Sequence, residues 1–196
     1  MAGALKNKVN YYGTDPNYLL CDKLVEFAHD YKSTQLNKRN MVATHIKCQG
    51  SEKYVPEWEN KMGLAFSSPP YFLLEDYRVG EQSYKEGETT YESWLNDYML
   101  PTFKNIHKYL IDNGFFVCNI KDFGKYSLEK DTIKCAELAG FYLYKIETLK
   151  NNARVASVGG GDFVVVDNDE KIFVFAKNGQ SPIANEVEQL SLLNLI

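Results

Sequence analysis

The chain has 196 residues, of which 44% are hydrophobic and 24% charged, with a formal net charge of −4. That length suits one domain, and the composition is that of a globular protein rather than a disordered or fibrous one. No apolar run approaches the roughly 18 residues of a membrane-spanning helix, and the acidic balance by itself gives no reason to expect a nucleic-acid partner.

In chain order, KVNYYGTDPN predicts a short strand ending at Gly13, with Asp15 in the turn behind it. Pro16 suits the first turn of the next helix, capped by Asp15 or Thr14. Leu19, Leu20, Leu24, Phe27, Ala28 and Tyr31 then recur at helical spacing, which predicts a buried face. MVATHIKCQG is a second strand ending at Gly50, followed by SEKY and a short turn or helix around VPEWENK. GLAFSS is a third strand, which runs into Pro69 and Pro70. Prolines lack an N–H and fix φ, so pairing stops there.

Residues 75–90 are polar and without periodicity, and read as a loop. Thr90 to Asn113 is largely helical, with Pro101 breaking it or starting a second helix, and Gly114 closes it. FFVCNIKD is a fourth strand and LEKDTIKCAELAG an amphipathic helix ending at Gly140. FYLYKIETLK and KIFVFAKN are the last strands; the glycine run at 159–161 between them reads as a hairpin rather than a phosphate loop. The tail from Gln180 ends in the apolar LSLLNLI, a candidate docking helix.

Alternating strands and helices predict an α/β fold with a parallel sheet, finished by an antiparallel C-terminal hairpin. Ligands of such sheets bind beyond the carboxyl ends of the strands. Asp15, Ser51, Glu52 and the prolines at 69 and 70 all fall there, on one rim. Cys21, Cys48, Cys118 and Cys135 form no CxxC or Cys/His cluster, so reduced thiols are expected and neither a disulfide framework nor a metal site is. MAGALKNKVNYYG lacks the apolar core of a signal peptide, which points to a cytoplasmic protein.

SSPPYF after the third strand resembles the catalytic motif of the S-adenosylmethionine-dependent DNA amino-methyltransferases: Asp, Asn or Ser, then Pro-Pro and an aromatic. YYGTDPN resembles that family's second motif, GSEKY its third, and KIFVFAK a late strand of many members; the similarity runs from about Val9 to Lys177. The resemblance implies a Rossmann-like methyltransferase sheet and transfer of a methyl group to an exocyclic base amine. Serine in first position leans to N4-cytosine over N6-adenine. Ser68, Pro69, Pro70 and Tyr71 would form the amine site, with the Ser68 hydroxyl and the Pro69 carbonyl as acceptors. Tyr71 or Phe72 would stack a base flipped from duplex DNA. Asp15, Ser51 and Glu52 would hold the cofactor, and no metal is required.

Two departures accompany the resemblance. The family's first motif, a strand and glycine-rich turn, should precede YYGTDPN, where only MAGALKNK stands. The chain therefore reads as one methyltransferase domain, 1–196, that begins inside the fold with its first strand missing. The lost strand would lie between those ending at Gly13 and Ser68. A second chain could supply it, the fragment could close up as a non-catalytic remnant or binding subunit, or the functional protein is longer. The other departure is acidity: Glu75, Asp76, Glu81, Glu86, Glu88 and Glu92 follow the motif, while Lys104, Lys108, Lys121, Lys125, Lys150 and Arg154 offer a basic face elsewhere.

Overall fold

The computed structural model describes residues 1–33, 42–72, 82–150, 154–157, 163–166 and 169–178, the second- and third-last of these as backbone only. Residues 73–81, the glycine run and the tail from Gln180 lie outside the described residues, and so do the readings made of them. The elements are α1 (Ala2–Lys6), β1 (Tyr11–Asp15), α2 (Tyr18–Ser33), β2 (Thr44–Cys48), a 3-10 turn (Pro56–Trp58) and β3 (Met62–Ser67). A helical segment follows: α3 (Tyr91–Ser93), a π stretch (Trp94–Met99) and α4 (Leu100–Tyr109). Then come β4 (Leu110–Ile120), α5 (Leu128–Leu138), β5 (Tyr142–Leu149), β6 (Arg154–Ser157), β7 (Phe163–Val166) and β8 (Glu170–Ala176).

β3, β4, β8 and β5 form one sheet in that order, with β3 parallel to β4 and β8 antiparallel to both of its neighbours. β8 thus inserts between β4 and β5. β1 and β2 form a separate parallel pair, and β6 and β7 an antiparallel one. Among the described residues β1 and β3 share no strand ladder.

The main core lies where α4 and α5 cover one face of the four-stranded sheet. Phe103 meets Phe116 edge to face at 4.8 Å, and Phe116, Phe141, Phe173 and Phe175 continue the apolar layer. A second, smaller cluster of Val55, Trp58 and Tyr109 ties β1 to this body. Tyr12 of β1 meets Trp58 at 5.5 Å, and the Tyr109 hydroxyl accepts the Val55 N–H at 2.7 Å. The loop after β2 is pinned as well: Asn105 of α4 donates to the Ser51 carbonyl at 3.0 Å, and the Ser51 and Thr102 hydroxyls pair at 2.9 Å.

Several sequence expectations are corrected. β1 runs on through Asp15, and Asn17 caps α2 by accepting the Leu19 N–H at 3.0 Å; Pro16 precedes the helix. Asp15 instead makes an Asx turn, accepting the Asn17 N–H at 2.8 Å. On α2 only Cys21 and Ala28 are buried, while Leu19, Leu20 and Phe27 of the expected buried face are exposed, because no described element packs across that face. The third correction concerns Gly114, which lies inside β4 and caps nothing. The helix ends at Tyr109 because Leu110, fully buried, pairs opposite Met62. A Cβ at Gly114 would come within 2.9 Å of the Ile111 carbonyl, so the glycine allows a close approach. Pro101 starts a helix as the sequence predicts: the π stretch ends at Met99, and α4 begins at Leu100 with Pro101 in its first turn, where the missing N–H costs nothing.

Candidate functional site

β3 and β4 run parallel and bring their carboxyl ends to one rim. Ser68 is the first residue beyond β3, where pairing with β4 ends at Ser67–Cys118. Its side chain is exposed, and among the described residues its hydroxyl has no hydrogen-bond partner. Pro69 is buried and Pro70 half-buried, so the turn is fixed by two locked φ angles and by packing. The Pro69 carbonyl likewise accepts no hydrogen bond in the described structure. Two unpaired acceptors therefore stand together at the end of an apolar strand.

The two aromatics that follow diverge. Tyr71 is half-buried, and its hydroxyl accepts the Lys121 N–H at 3.0 Å, which fastens the ring to the end of β4. Phe72 is only 3% exposed and packs edge to face against Tyr84, Tyr91 and Tyr126, with centroids 5.0–5.3 Å away. Its expected role as a stacking face is corrected: it is the keystone of an aromatic cluster and offers no open ring. That cluster is held from behind by the Tyr91 hydroxyl, which donates to Asp131 at 2.6 Å; burial and this carboxylate push the Tyr91 phenol well above its ordinary range.

At the end of β1, Asp15 is half-buried with one carboxylate oxygen committed to Asn17. Its carbonyl accepts the Cys21 thiol at 3.2 Å. Burial, aided by the neighbouring Cys48 thiol, pushes Cys21 up to about 11, so it remains a donor at neutral pH. The Tyr11 ring folds over Gly13, where a Cβ would lie 2.4 Å from its hydroxyl. Burial, and secondarily Asp15, raises the Tyr11 phenol. Beyond β2, Glu52 turns back across Gly50, whose missing side chain leaves room for the carboxylate. Ser51 is spent on Thr102 and thus positions the loop.

The sequence reading missed the Tyr71–Lys121 bond and the Trp58 clasp, for which no local signal exists. The expected basic face divides. Lys121, Lys125 and Lys150 stand at the carboxyl rim, with Lys150 paired to Asp169, whereas Lys108 lies at the other end of the sheet over the Tyr54 ring at 4.6 Å. Among the described residues no helix is long and apolar enough to cross a membrane.

This architecture is the Rossmann-like fold of S-adenosylmethionine-dependent methyltransferases. A methyltransferase of that class from Methanosarcina mazei has a TM-score of 0.53 at 9% identity, over 91% of this chain and 87% of that one. The 1,6-didemethyltoxoflavin-N1-methyltransferase of Burkholderia thailandensis, with S-adenosylhomocysteine bound, also has a TM-score of 0.53 at 9% identity, over 91% and 65% of the two chains. A protein described as a DNA modification methylase from Thermus thermophilus has a TM-score of 0.46 at 15% identity, over 68% of this chain and 52% of that one. The chain thus spans about half the length of that last structure. No protein-family model and no curated protein matches the sequence.

Proposed function

We propose that this chain is the amine-binding part of a methyltransferase that transfers the methyl group of S-adenosylmethionine to an exocyclic amine of a DNA base, N4 of cytosine in preference to N6 of adenine. The observation that carries the reading is the pair of unpartnered acceptors, the Ser68 hydroxyl and the Pro69 carbonyl, at the carboxyl end of β3. An exocyclic amine is a poor nucleophile because its lone pair is delocalised into the ring. Acceptors aimed at its hydrogens favour a pyramidal nitrogen and stabilise the positive charge that grows there during attack. The Tyr71 ring, held by Lys121, supplies the stacking face for a flipped base.

When bound, S-adenosylmethionine would supply an electrophilic methyl on a sulfonium: the amine would form the new N–C bond as the C–S electron pair goes to sulfur, and would lose one N–H proton to solvent. The described residues fit the nucleoside end of that cofactor. Asp15 keeps one carboxylate oxygen for ribose hydroxyls, and Glu52 lies on the loop that continues the rim.

A binding subunit that keeps the fold without transferring methyl groups is the second reading, favoured by the lack of a strand ladder between β1 and β3 among the described residues. Calorimetric titration with S-adenosylmethionine, joined to transfer of labelled methyl onto duplex DNA, separates the two. Binding with product at N4-cytosine supports the enzyme; DNA binding without heat from millimolar cofactor supports the subunit.

A further inference from the structure

The four cysteines are widely spaced in sequence, yet the fold brings two of them together. Cys21 lies in the first turn of α2 and is 5% exposed, and its thiol donates to the Asp15 carbonyl at 3.2 Å. Cys48 is the last residue of β2, and its Cα pairs with that of Asp15 across the parallel ladder. Both cysteines therefore border Asp15, one from the helix and one from the neighbouring strand. The two thiols are hydrogen-bonding neighbours.

Both are free, and they differ as the members of a redox pair differ: Cys48 is exposed and open to a small oxidant, whereas Cys21 is buried. The other two cysteines give the contrast. Cys118 and Cys135 are buried in the main core, on β4 and α5. The Cys118 thiol answers to burial alone, and that of Cys135 to burial, Asp131 and Lys134, so neither has a thiol neighbour.

The setting also lets the sulfurs close to the roughly 2.0 Å of an S–S bond. On α2 only Cys21 and Ala28 are buried, and the β1–β2 pair shares no ladder with the larger sheet. A small shift of the start of α2 toward β2 disturbs little packing.

We infer that Cys21 and Cys48 form a reversible thiol–disulfide site, oxidised by a hydroperoxide and reset by a dithiol. With hydrogen peroxide, the Cys48 sulfur attacks one oxygen and the O–O bond breaks, which gives a sulfenic acid and one water. The Cys21 sulfur then attacks the sulfenic sulfur. The S–S bond forms, the S–O bond breaks, and the Cys21 proton leaves with the hydroxyl as a second water. Two thiols are oxidised and one peroxide is reduced; a dithiol returns the two electrons and two protons. The crosslink takes the thiol donor away from the Asp15 carbonyl and ties the start of α2 to the end of β2, just before Gly50, over which Glu52 turns back. This site goes beyond the chemistry proposed above and does not depend on it.

The test uses the full chain, reduced and then given one equivalent of hydrogen peroxide at neutral pH, followed by alkylation under denaturing conditions and peptide mapping. The expected product is a monomer whose Cys21 and Cys48 peptides are joined and lighter by two hydrogens, with Cys118 and Cys135 alkylated; dithiothreitol restores all four thiols. Cys21→Ser should let the Cys48 sulfenic acid persist, so that its labelling by dimedone rises about tenfold over the unchanged chain. Should that variant fail to fold, the map of the unchanged chain decides by itself. Oxidation spread evenly over the four cysteines, a dimer joined through Cys48, or sulfenic acid as abundant in the unchanged chain as in Cys21→Ser overturns the inference. Titration of both forms with S-adenosylmethionine keeps the two readings apart: a chain that crosslinks but binds no cofactor in either form retains the redox site and counts against the methyltransferase reading alone.

Discussion

Tyr71 shows how one residue's role depends on an atom far away in sequence. Its ring is steered by the Lys121 N–H at the end of β4, so the hydroxyl positions the ring rather than meeting a substrate. Removing the Ser68 hydroxyl acts differently, since that atom touches nothing described in the protein. Ser68→Ala is expected to leave the unfolding midpoint unchanged while lowering methyl transfer about a hundredfold, as for loss of one transition-state acceptor. Tyr71→Ala should lower transfer to a similar degree, and Tyr71→Phe less; full activity in Ser68→Ala would remove the site assignment. His107 carries a separate, pH-linked expectation. Burial first, then the Lys177 ammonium, holds its imidazole below the ordinary value. The unfolded chain therefore takes up a proton, near pH 6.5, that the folded chain resists. Stability is complete above that pH and falls as pH drops through the lowered folded value. Urea unfolding between pH 7.5 and 5 should show this slope, and His107→Gln should flatten it.

At the scale of the element, the helical layer holds polar atoms that its packing leaves unanswered. Among the described residues the fully buried Thr132 hydroxyl on α5 has no hydrogen-bond partner, nor has the Trp94 indole N–H in the π stretch. A buried unsatisfied hydroxyl costs about 1–3 kcal/mol, and valine has the same shape without it. Thr132→Val should stabilise the protein by about 1 kcal/mol, read as a higher urea midpoint at constant slope. Gly140, at φ +99° and with His107 Nε2 only 3.2 Å from where a Cβ would stand, closes α5 as the sequence predicts. Gly114, read from the sequence as the same kind of cap, turned out to be a strand residue. The two glycines are locally alike, and what separates them is Leu110, whose burial opposite Met62 turns the chain into β4 four residues earlier.

At the scale of the whole molecule, the β1–β2 unit shares no strand ladder with the rest and is held through the Trp58 cluster and the Ser51–α4 bonds. Trp58→Ala should cost about 3–5 kcal/mol. It should also loosen that unit ahead of the larger sheet, seen as faster amide exchange in Tyr11–Asp15 and Thr44–Cys48 while β4 and β8 stay protected. Uniform acceleration would instead mean that the two sheets unfold together. Beside that cluster, Lys177 donates to the Leu110 carbonyl at 2.6 Å and to Asn60 at 3.1 Å.

By itself the sequence determined the α/β class and the order of β1 to β5 with the helices between them, because hydrophobic period, proline and strand ends are local signals. Only the tertiary structure decided which aromatic of the Tyr71–Phe72 pair is buried, since neighbours in sequence point to different surroundings: one toward Lys121, the other into a cage of tyrosines. It also decided that α2 and Leu64–Phe66 are bare, because burial is a property of what packs across a face, and a chain's own pattern shows only that the face is apolar.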